Sequence, residues 1–133
     1  IRDRFQGHVA YTMAKYNMSL CVLGMAAEYK GQIAVNALWP RTAIKTAAVK
    51  NVLGGDEMMK KSRDTQIMDD ASHIILNKDK YKFSGNFFLD DSLLAEHGET
   101  DFSKYADYPF AELIPDFFVP EDAYPVPQVV KDS

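Results

Sequence analysis

Two apolar stretches that follow each other almost without a break limit what this chain can fold into. Residues 9–29 carry apolar side chains at helical spacing around most of the circumference, and this pattern predicts a helix packed on several sides. The run 33–39 is nearly all apolar and ends at Pro40, as in a strand buried on both faces of a parallel sheet. A helix that turns directly into a buried strand is half of a βαβ unit, so we expect an α/β fold.

The predicted helix 9–29 has one broad apolar face that we expect to be buried. Gly24 lies in the middle of the helix, where glycine costs about 1 kcal/mol relative to alanine, so we expect another backbone to approach closely there. Gly31 is a candidate C-cap. The side chains expected to face inward are Met13, Ala14, Met18, Cys21, Val22, Met25 and Ala26.

The composition is that of one soluble domain. The chain has 133 residues, of which 47% are hydrophobic and 26% charged, which is ordinary for a globular protein. The net charge of -4, with no basic stripe, makes nucleic acid an unexpected partner. Polar residues interrupt the longest apolar run, so no segment reaches the roughly 18 residues of a membrane span. The single cysteine implies no disulfide framework and fits a reducing compartment, so we expect an intracellular, cytoplasmic protein.

Beyond Pro40 the sequence predicts further helices, one more strand and an extended arm. The arm, residues 108–133, is acidic and contains five of the six prolines, and we expect it to pack through its aromatic and aliphatic residues and to have a loose end. The elements expected before it are a short helix within 41–55, a helix at 56–64 with Asp56 as N-cap, an amphipathic helix within 65–78, a strand at 87–89 after a Ser84-Gly85 turn, and short helices within 91–98 and 100–106.

One pair of polar residues at the head of the first helix could carry chemistry. Tyr11 and Lys15 are four residues apart, which places both side chains on the same face of a helix. A free phenol has a pKa of about 10, too high for efficient proton exchange near neutral pH. A neighbouring ammonium stabilises the phenolate and lowers that pKa. The pair is therefore a candidate general acid/base, although this spacing also arises by chance.

The order of motifs around this pair resembles the C-terminal half of the short-chain dehydrogenase/reductase family. In that family a Tyr-x-x-x-Lys motif heads a helix, the next strand carries a Val-Asn-x-x-x-Pro-Gly signature, and a Thr-Gly or Ser-Gly turn precedes the last strand. The resemblance covers about residues 5–90. It implies the C-terminal half of a doubly wound, Rossmann-type parallel sheet in three α/β/α layers. The matching residues are Tyr11, Lys15, Val35, Asn36, Pro40, Ser84 and Gly85.

The resemblance also implies a role for each of several residues. Tyr11 would exchange a proton with the carbonyl or alcohol oxygen of a small-molecule substrate, and Lys15 would lower the pKa of that tyrosine and hydrogen-bond the nicotinamide ribose. The backbone after Pro40 would meet the nicotinamide carboxamide. Pairing of two copies through helix 9–29 would follow, because family members commonly associate there. The cofactor, NAD or NADP, would contact Tyr11, Lys15, Pro40, Arg41, Ala43 and Thr46.

The sequence departs from the family pattern at two kinds of position. Arg41 stands where the family has glycine; its guanidinium would either reach a phosphate or an acidic substrate, or be solvated. The position of the family's loop threonine is Lys45, so Thr46 or Thr42 would take that role. The family's Gly-rich phosphate loop has no match, and its catalytic serine would precede Ile1. We therefore expect part of a longer or processed chain.

The remaining polar groups do not suggest another site. His8, His73 and His97 are scattered, with no pair at metal-ligand spacing, so no metal is expected. The pairs Asp69-Asp70 and Asp90-Asp91 are expected at helix starts and solvated turns.

The sequence as a whole predicts an NAD(P)-dependent oxidoreductase acting on a carbonyl or alcohol. We expect residues 1–91 to be the C-terminal part of its dehydrogenase domain, and 92–133 a helical and extended acidic arm of that domain. The alternative is a non-catalytic relative or fragment whose helix 9–29 serves assembly.

Overall fold

The structure is a computed structural model that describes residues 6–120 and 124–133. The chain divides into two compact units, Ile1–Ala37 with Asn77–Phe88, and Leu38–Leu76 with Leu89–Ser133. The division predicted from the sequence, into residues 1–91 and 92–133, is of a different kind and stays a prediction. In chain order the elements are α1 (Val9–Glu28), β1 (Ala37–Trp39), a π-helical turn (Val49–Leu53), α2 (Gly55–Lys60), α3 (Gln66–Leu76), β2 (Phe87–Leu89), α4 (Asp90–Glu96), 3-10 turns at Ser103–Tyr105 and Phe110–Glu112, and α5 (Gln128–Lys131).

The two strands pair in a small parallel sheet. Gly85 N donates to Val35 O at 2.7 Å, and Ala37 N donates to Asn86 O at 2.9 Å, so the partners advance in the same direction along both segments. Strand β2 lies where the sequence predicts it, and the α/β class is confirmed. The predicted strand 33–39 is shorter, because only its last three residues are β1, and these are half-buried rather than buried. Within the described residues β1 pairs with one strand only, which leaves its surfaces partly open.

Helix α1 is confirmed to within one residue of its predicted end, but most of its predicted inward face is exposed, and only Val22 and Ala26 of that face are half-buried. None of its residues is buried; Met13 and Met18 are more than half exposed, and Cys21 is exposed as well. The hydrophobic pattern runs nearly all round the helix and therefore does not single out one side. The stripe with least exposure combines polar and small residues, namely Thr12, Lys15, Ser19, Val22 and Ala26.

Every buried side chain among the described residues belongs to the second unit. Helix α3 supplies Ile67 and Ala71, as its predicted amphipathic pattern requires. The expectation of a loose C-terminal end is wrong, because α5 places Val130 in the core with no exposed surface. The apolar core consists of Val49, Ile67, Ala71, Leu89, Leu93, Leu94, Phe102, Tyr105, Leu113, Val119 and Val130.

Helix α2 begins one residue earlier than predicted. Its N-cap is Gly54, so Asp56 is an acidic residue of the first turn and not the cap; a carboxylate there still favours the helix through the macrodipole. A Cβ atom at Gly54 would lie 2.6 Å from the Met58 Cβ. Gly55 has φ of 65°, a conformation that glycine adopts without strain. Close packing at Gly54 and the backbone conformation of Gly55 therefore explain why glycines stand at these two positions.

Candidate functional site

Tyr11 and Lys15 lie on one face of α1, as the sequence predicts. The Lys15 Nζ is 5.5 Å from the centroid of the Tyr11 ring. The Tyr11 side chain is 39% exposed, and Lys15 belongs to the half-buried stripe of the helix. The structure therefore places an ammonium beside an exposed tyrosine ring on one face of the helix.

Three residues of the sequence motifs form one hydrogen-bonded cluster in the first unit. Asn36 Nδ2 donates to Phe83 O at 2.9 Å, and Asn36 Oδ1 accepts from Asn86 N at 3.1 Å and from Asn86 Nδ2 at 2.9 Å. Val35 N donates to Ser84 Oγ at 3.1 Å. The Val-Asn signature and the Ser-Gly turn, 49 residues apart in sequence, thus tie two chain segments together.

Gly85 completes this cluster because it lies against α1. It has φ of 79°, which favours glycine. A Cβ atom at this position would lie 3.4 Å from the Ala26 Cβ, in contact with the inward stripe of α1. The cluster therefore helps to position the helix that carries Tyr11 and Lys15.

The loop after Pro40 is held by backbone hydrogen bonds within the second unit. Ala43 N donates to Ile114 O at 2.8 Å, Ala43 O accepts from Arg63 N at 2.9 Å, and Arg41 O accepts from Asp116 N at 2.8 Å. Of the two candidate threonines, Thr42 is buried and Thr46 is exposed. Thr46 Oγ1 accepts from Val49 N at 3.4 Å, so it caps the helical turn that follows.

Arg41 is neither solvated nor extended toward solvent, because its guanidinium lies in a buried charge cluster. Its Nε donates to both carboxylate oxygens of Asp91 at 2.8 Å. Its two terminal nitrogens donate to Tyr124 O at 2.9 Å and to Ser92 Oγ at 2.8 Å. The side chains of Arg41 and Asp91 are 5% and 0% exposed. The solvated alternative for Arg41 is therefore wrong.

Arg63 and Asp90 complete the cluster. Arg63 NH1 donates to Asp91 Oδ2 at 3.0 Å, and Asp90 Oδ1 accepts from the backbone N–H groups of Arg41 at 3.0 Å and Asp91 at 2.8 Å. Both aspartates have no exposed surface, so the expected solvated turn at Asp90-Asp91 is wrong. They do begin a helix, α4, as predicted. Burial is possible because each carboxylate faces arginine or backbone donors.

The environment of Asp90 shifts its titration. Desolvation by burial and, after it, the neighbouring Asp91 carboxylate raise the pKa of Asp90 from 3.8 to about 6. The charge of Arg63 and the two backbone N–H donors act in the opposite direction and lower this pKa. Asp90 is therefore a buried carboxyl group that changes charge close to neutral pH.

Comparison with known proteins relates the chain to dehydrogenases. It is 54% identical over 117 residues to hydroxysteroid dehydrogenase-like protein 2 of Bos taurus, a match that covers 88% of this chain and 28% of that protein. A short chain dehydrogenase of Mycobacterium thermoresistibile superposes with a TM-score of 0.72 and 46% identity, covering 89% of this chain and 41% of that one. A structure described as a "putative dehydrogenase" from Xanthomonas campestris superposes with a TM-score of 0.79 and 44% identity. The match covers 89% of this chain and 43% of that one.

The chain is homologous to short-chain dehydrogenases. The resemblance deduced from its motifs is thus confirmed, and the comparison adds a similarity to hydroxysteroid dehydrogenase-like proteins. The chain spans only about a quarter of the length of the curated relative, since it covers 28% of it. No protein-family profile matches the chain.

In this short-chain dehydrogenase homologue the predicted site residues fall into two groups. Tyr11 and Lys15 lie in the first unit, and the loop residues from Pro40 to Thr46 lie in the second. Within the first group, the structure brings the phenol and the ammonium together. Within the second, it shows a loop shaped by hydrogen bonds and by a buried ion pair.

The charge cluster is the feature that sequence reasoning missed. Its members come from separate places in the chain. Arg41 was singled out by its position after Pro40, whereas Asp90-Asp91 was interpreted only as a helix start or solvated turn. An available signal was the sequence Leu89-Asp90-Asp91, where two acidic residues directly follow a predicted strand. A carboxylate at that place is close to the core and needs a cation.

The described residues contain no candidate group for a metal ion and no candidate membrane-spanning helix. Among the described residues no group of three or more His, Cys, Asp or Glu side chains is arranged to hold a metal ion. The described helices include none that is both long and apolar enough to cross a membrane.

Proposed function

We propose that this chain is the C-terminal part of an NAD(P)-dependent short-chain dehydrogenase/reductase that acts on a carbonyl or alcohol. The observation that carries the proposal is the placement of Lys15 Nζ 5.5 Å from the Tyr11 ring centroid, in a chain homologous to short-chain dehydrogenases. The full domain is then a doubly wound sheet in three α/β/α layers, of which β1 and β2 are two neighbouring strands.

Tyr11 is the proposed general acid/base. In the reducing direction its hydroxyl gives a proton to the substrate oxygen, and in the oxidising direction its phenolate takes one. Lys15 stabilises the phenolate electrostatically, since its ammonium lies beside the ring. The 39% exposure of Tyr11 leaves room for a substrate oxygen to reach the hydroxyl.

The residues present fit a nicotinamide cofactor in part. Lys15 carries an ammonium that can hold ribose hydroxyls, and Thr46 carries a hydroxyl in the loop after Pro40, whereas the backbone N–H of Ala43 is already bonded to Ile114 O. When bound, the nicotinamide supplies or accepts the hydride. The guanidinium of Arg41 does not fit a phosphate-binding role, because Asp91, Ser92 and Tyr124 O already occupy its donors. We propose that Arg41 acts on the cofactor loop by fixing its shape.

The proposal is tested by Tyr11→Phe in the intact protein. This change removes the exchangeable proton with little change in shape, and turnover should fall at least about a hundredfold. Tyr16→Phe is the matched control, because Tyr16 is an exposed tyrosine of the same helix and should leave turnover unchanged. Near-normal turnover of Tyr11→Phe would refute the assignment.

Lys15→Met tests the role of the ammonium separately. The stem of the side chain remains and the charge is lost, so activity should drop, the pH profile should move to alkaline values, and cofactor affinity should weaken. Lys30→Met, just beyond the end of α1, is the control. Full activity with an unchanged pH profile would contradict the role given to Lys15.

A second candidate function is assembly, which the exposure of α1 favours. Side chains such as Met13, Met18 and Leu20 are each more than half exposed on this helix, and apolar surface of this kind marks interaction sites. In this alternative the chain is a non-catalytic relative or fragment, and the exposed face of α1 binds a second copy. Assembly through α1 does not in itself exclude catalysis, because α1 presents Tyr11 and Lys15 as well as the apolar residues.

A further inference from the structure

One backbone group of the loop after Pro40 is held by a carboxylate at the start of α4. Ala43 N and Arg41 O bond to backbone groups of other segments, but Arg41 N donates to Asp90 Oδ1 at 3.0 Å. Asp90 has no exposed surface, and both residues belong to the second unit. The position of the loop at Arg41 therefore depends on a buried group that can gain or lose a proton.

The two oxygens of the Asp90 carboxyl group differ in their surroundings. Oδ1 accepts from two backbone N–H groups, whereas Oδ2 is buried and has no hydrogen-bond partner among the described residues. An oxygen without a donor stabilises the charge of a carboxylate poorly, and burial removes the water that would otherwise do so. Loss of the proton therefore favours any arrangement in which Asp90 reaches water.

The charged side chains around Asp90 come from three segments. Asp91 is its neighbour on α4, Arg63 lies between α2 and α3, and Arg41 belongs to the loop itself. Both arginines pair with Asp91, so they already share another carboxylate. Burial and, after it, the Asp91 charge raise the pKa of Asp90, the Arg63 charge lowers it, and the balance is a value of about 6.

We propose that Asp90 is a proton-dependent anchor of the loop after Pro40. With the proton bound, the uncharged carboxyl group stays buried and the loop is closed against α4. When the proton passes to solvent, the carboxylate gains free energy from hydration, and the loop opens at Arg41 more often. The consequence for the cofactor rests on the proposed function, in which this loop meets the nicotinamide carboxamide, so that an open loop binds the cofactor more weakly.

The direction of the pH dependence follows from proton linkage. The pKa of Asp90 is about 6 in the closed loop and returns toward 3.8 when the group is hydrated, so between these values the closed loop binds more protons than the open one. Opening therefore becomes more frequent as pH rises through this interval and levels off above it. The same relation limits the change in the opening equilibrium to about a hundredfold, and at least about tenfold of it should fall between pH 4.5 and pH 7.

Hydrogen exchange of the intact protein tests the anchor, followed by mass spectrometry at pH 4.5 and pH 7 and corrected for the intrinsic exchange rate. Peptides covering 41–46 report the loop, and those covering 67–76 report α3, which has a buried face. We expect protection of the loop to fall at least about tenfold between the two pH values and to stay below that of α3 at both. Asp90→Asn cannot ionise and should keep loop protection constant. Asp56→Asn, at an exposed residue of α2, is the matched control and should show the fall.

Three outcomes of this experiment would overturn the proposal. The first is loop protection that does not change with pH, and the second is a pH dependence that persists in Asp90→Asn. The third is equal protection of the loop and α3, because the opening would then be unfolding of the whole unit. If Asp90→Asn fails to fold, the carboxyl ¹³C signal of Asp90 in the unmodified protein decides, since a titration midpoint below about pH 4.5, close to that of a hydrated aspartate, would overturn the anchor.

NADH affinity over the same pH range tests the consequence for the cofactor. Measured by nucleotide fluorescence, it should weaken with rising pH in the unmodified protein relative to Asp90→Asn. A constant ratio between the two proteins would overturn the coupling to the cofactor. A loop that opens with rising pH in a protein that binds no NADH would support the anchor and refute the proposed function.

Discussion

Arg41 and Asp91 are 50 residues apart in the sequence and form a buried ion pair in which the Arg41 Nε donates to both carboxylate oxygens at 2.8 Å. The pair joins the loop after β1 to the first turn of α4. Arg41 occupies the position where short-chain dehydrogenases are expected to have glycine. The ion pair explains why an arginine suits this position. A glycine here would leave the loop conformationally free, whereas the Arg41 side chain fixes the loop to Asp91.

Removing the charge of Asp91 should destabilise the protein strongly. Asp91→Asn keeps the size of the side chain but removes the carboxylate that forms the direct ion pairs with the buried Arg41 and Arg63 guanidinium groups. Loss of one partner of a buried pair costs about 3–5 kcal/mol. Urea unfolding of the intact protein measures this as a lower midpoint. Asp56→Asn is the control, because Asp56 is exposed in the first turn of α2; a shift no larger than in that control would contradict the proposed importance of the pair.

Stability should depend on pH through Asp90. Its pKa is raised by burial and by Asp91 to about 6, from 3.8, so between these values the folded state binds more protons than the unfolded state. By linkage this contribution to stability is complete below about pH 4 and is lost as pH rises through 6. Asp90→Asn keeps the oxygen that accepts from two backbone N–H groups and cannot ionise.

The measurement is the free energy of unfolding between pH 4 and pH 7 for the two proteins. The difference, Asp90→Asn minus unmodified, should move in favour of the variant as pH rises through 6. Ionisation of the carboxyl groups that lie away from Asp90 is common to both proteins and cancels in this difference. A difference that stays constant over the range would show that Asp90 does not titrate there.

Elements with one clear period could be predicted from the sequence, whereas the charge cluster could not. Helix α3 shows its buried side through Ile67 and Ala71, and β2 follows a glycine turn, so both were found. Helix α1 was found as a helix, but its apolar residues surround it and conceal the inward stripe that includes Thr12 and Lys15. Burial of Arg41 with Asp91 depends on contacts 50 residues apart, which no local pattern encodes.

The part of the candidate site that depends on local geometry could be predicted from the sequence, and the part that depends on distant contacts could not. A four-residue spacing on a helix fixes the neighbourhood of Tyr11 and Lys15, and the structure shows it. The loop from Pro40 to Thr46 is shaped by partners such as Ile114 and Asp116, which lie in a segment predicted only as an extended arm. Its cofactor contacts remain a prediction.

Gly24→Leu should convert an assembled protein to a smaller species. An added Cβ at Gly24 meets no atom within 4 Å in the single chain, so leucine fits the monomer and also improves helix propensity by roughly 1 kcal/mol. A bulky side chain would nevertheless prevent close approach of a second helix. Gly24→Ala gives the propensity gain with far less bulk, and sedimentation should report the original species for it. A wild-type protein that sediments as a monomer would contradict assembly through α1.

The polypeptide of residues 1–133 should neither bind a dinucleotide tightly nor catalyse when prepared alone. Dinucleotide affinity in doubly wound folds rests on pyrophosphate meeting a Gly-rich turn and a helix N-terminus, and this sequence has no such turn. The described part of the sheet has two strands of three residues, and β1 is only half-buried. Open strand edges favour aggregation. Lys15 would therefore have a ribose to hold but no partner to anchor the phosphates.

The test titrates NADH into this polypeptide and follows nucleotide fluorescence, with circular dichroism and urea unfolding recorded on the same sample. We expect no saturation in the low micromolar range and a broad, weakly cooperative unfolding transition. The intact protein is the positive control and should bind NADH. Tight, saturable binding by a cooperatively folded polypeptide would refute the prediction. Lys15→Met in that polypeptide would then show whether the binding depends on Lys15. Because we expect phosphate recognition outside this polypeptide and proton chemistry at Tyr11 and Lys15, the two functions should separate when the chain is studied alone.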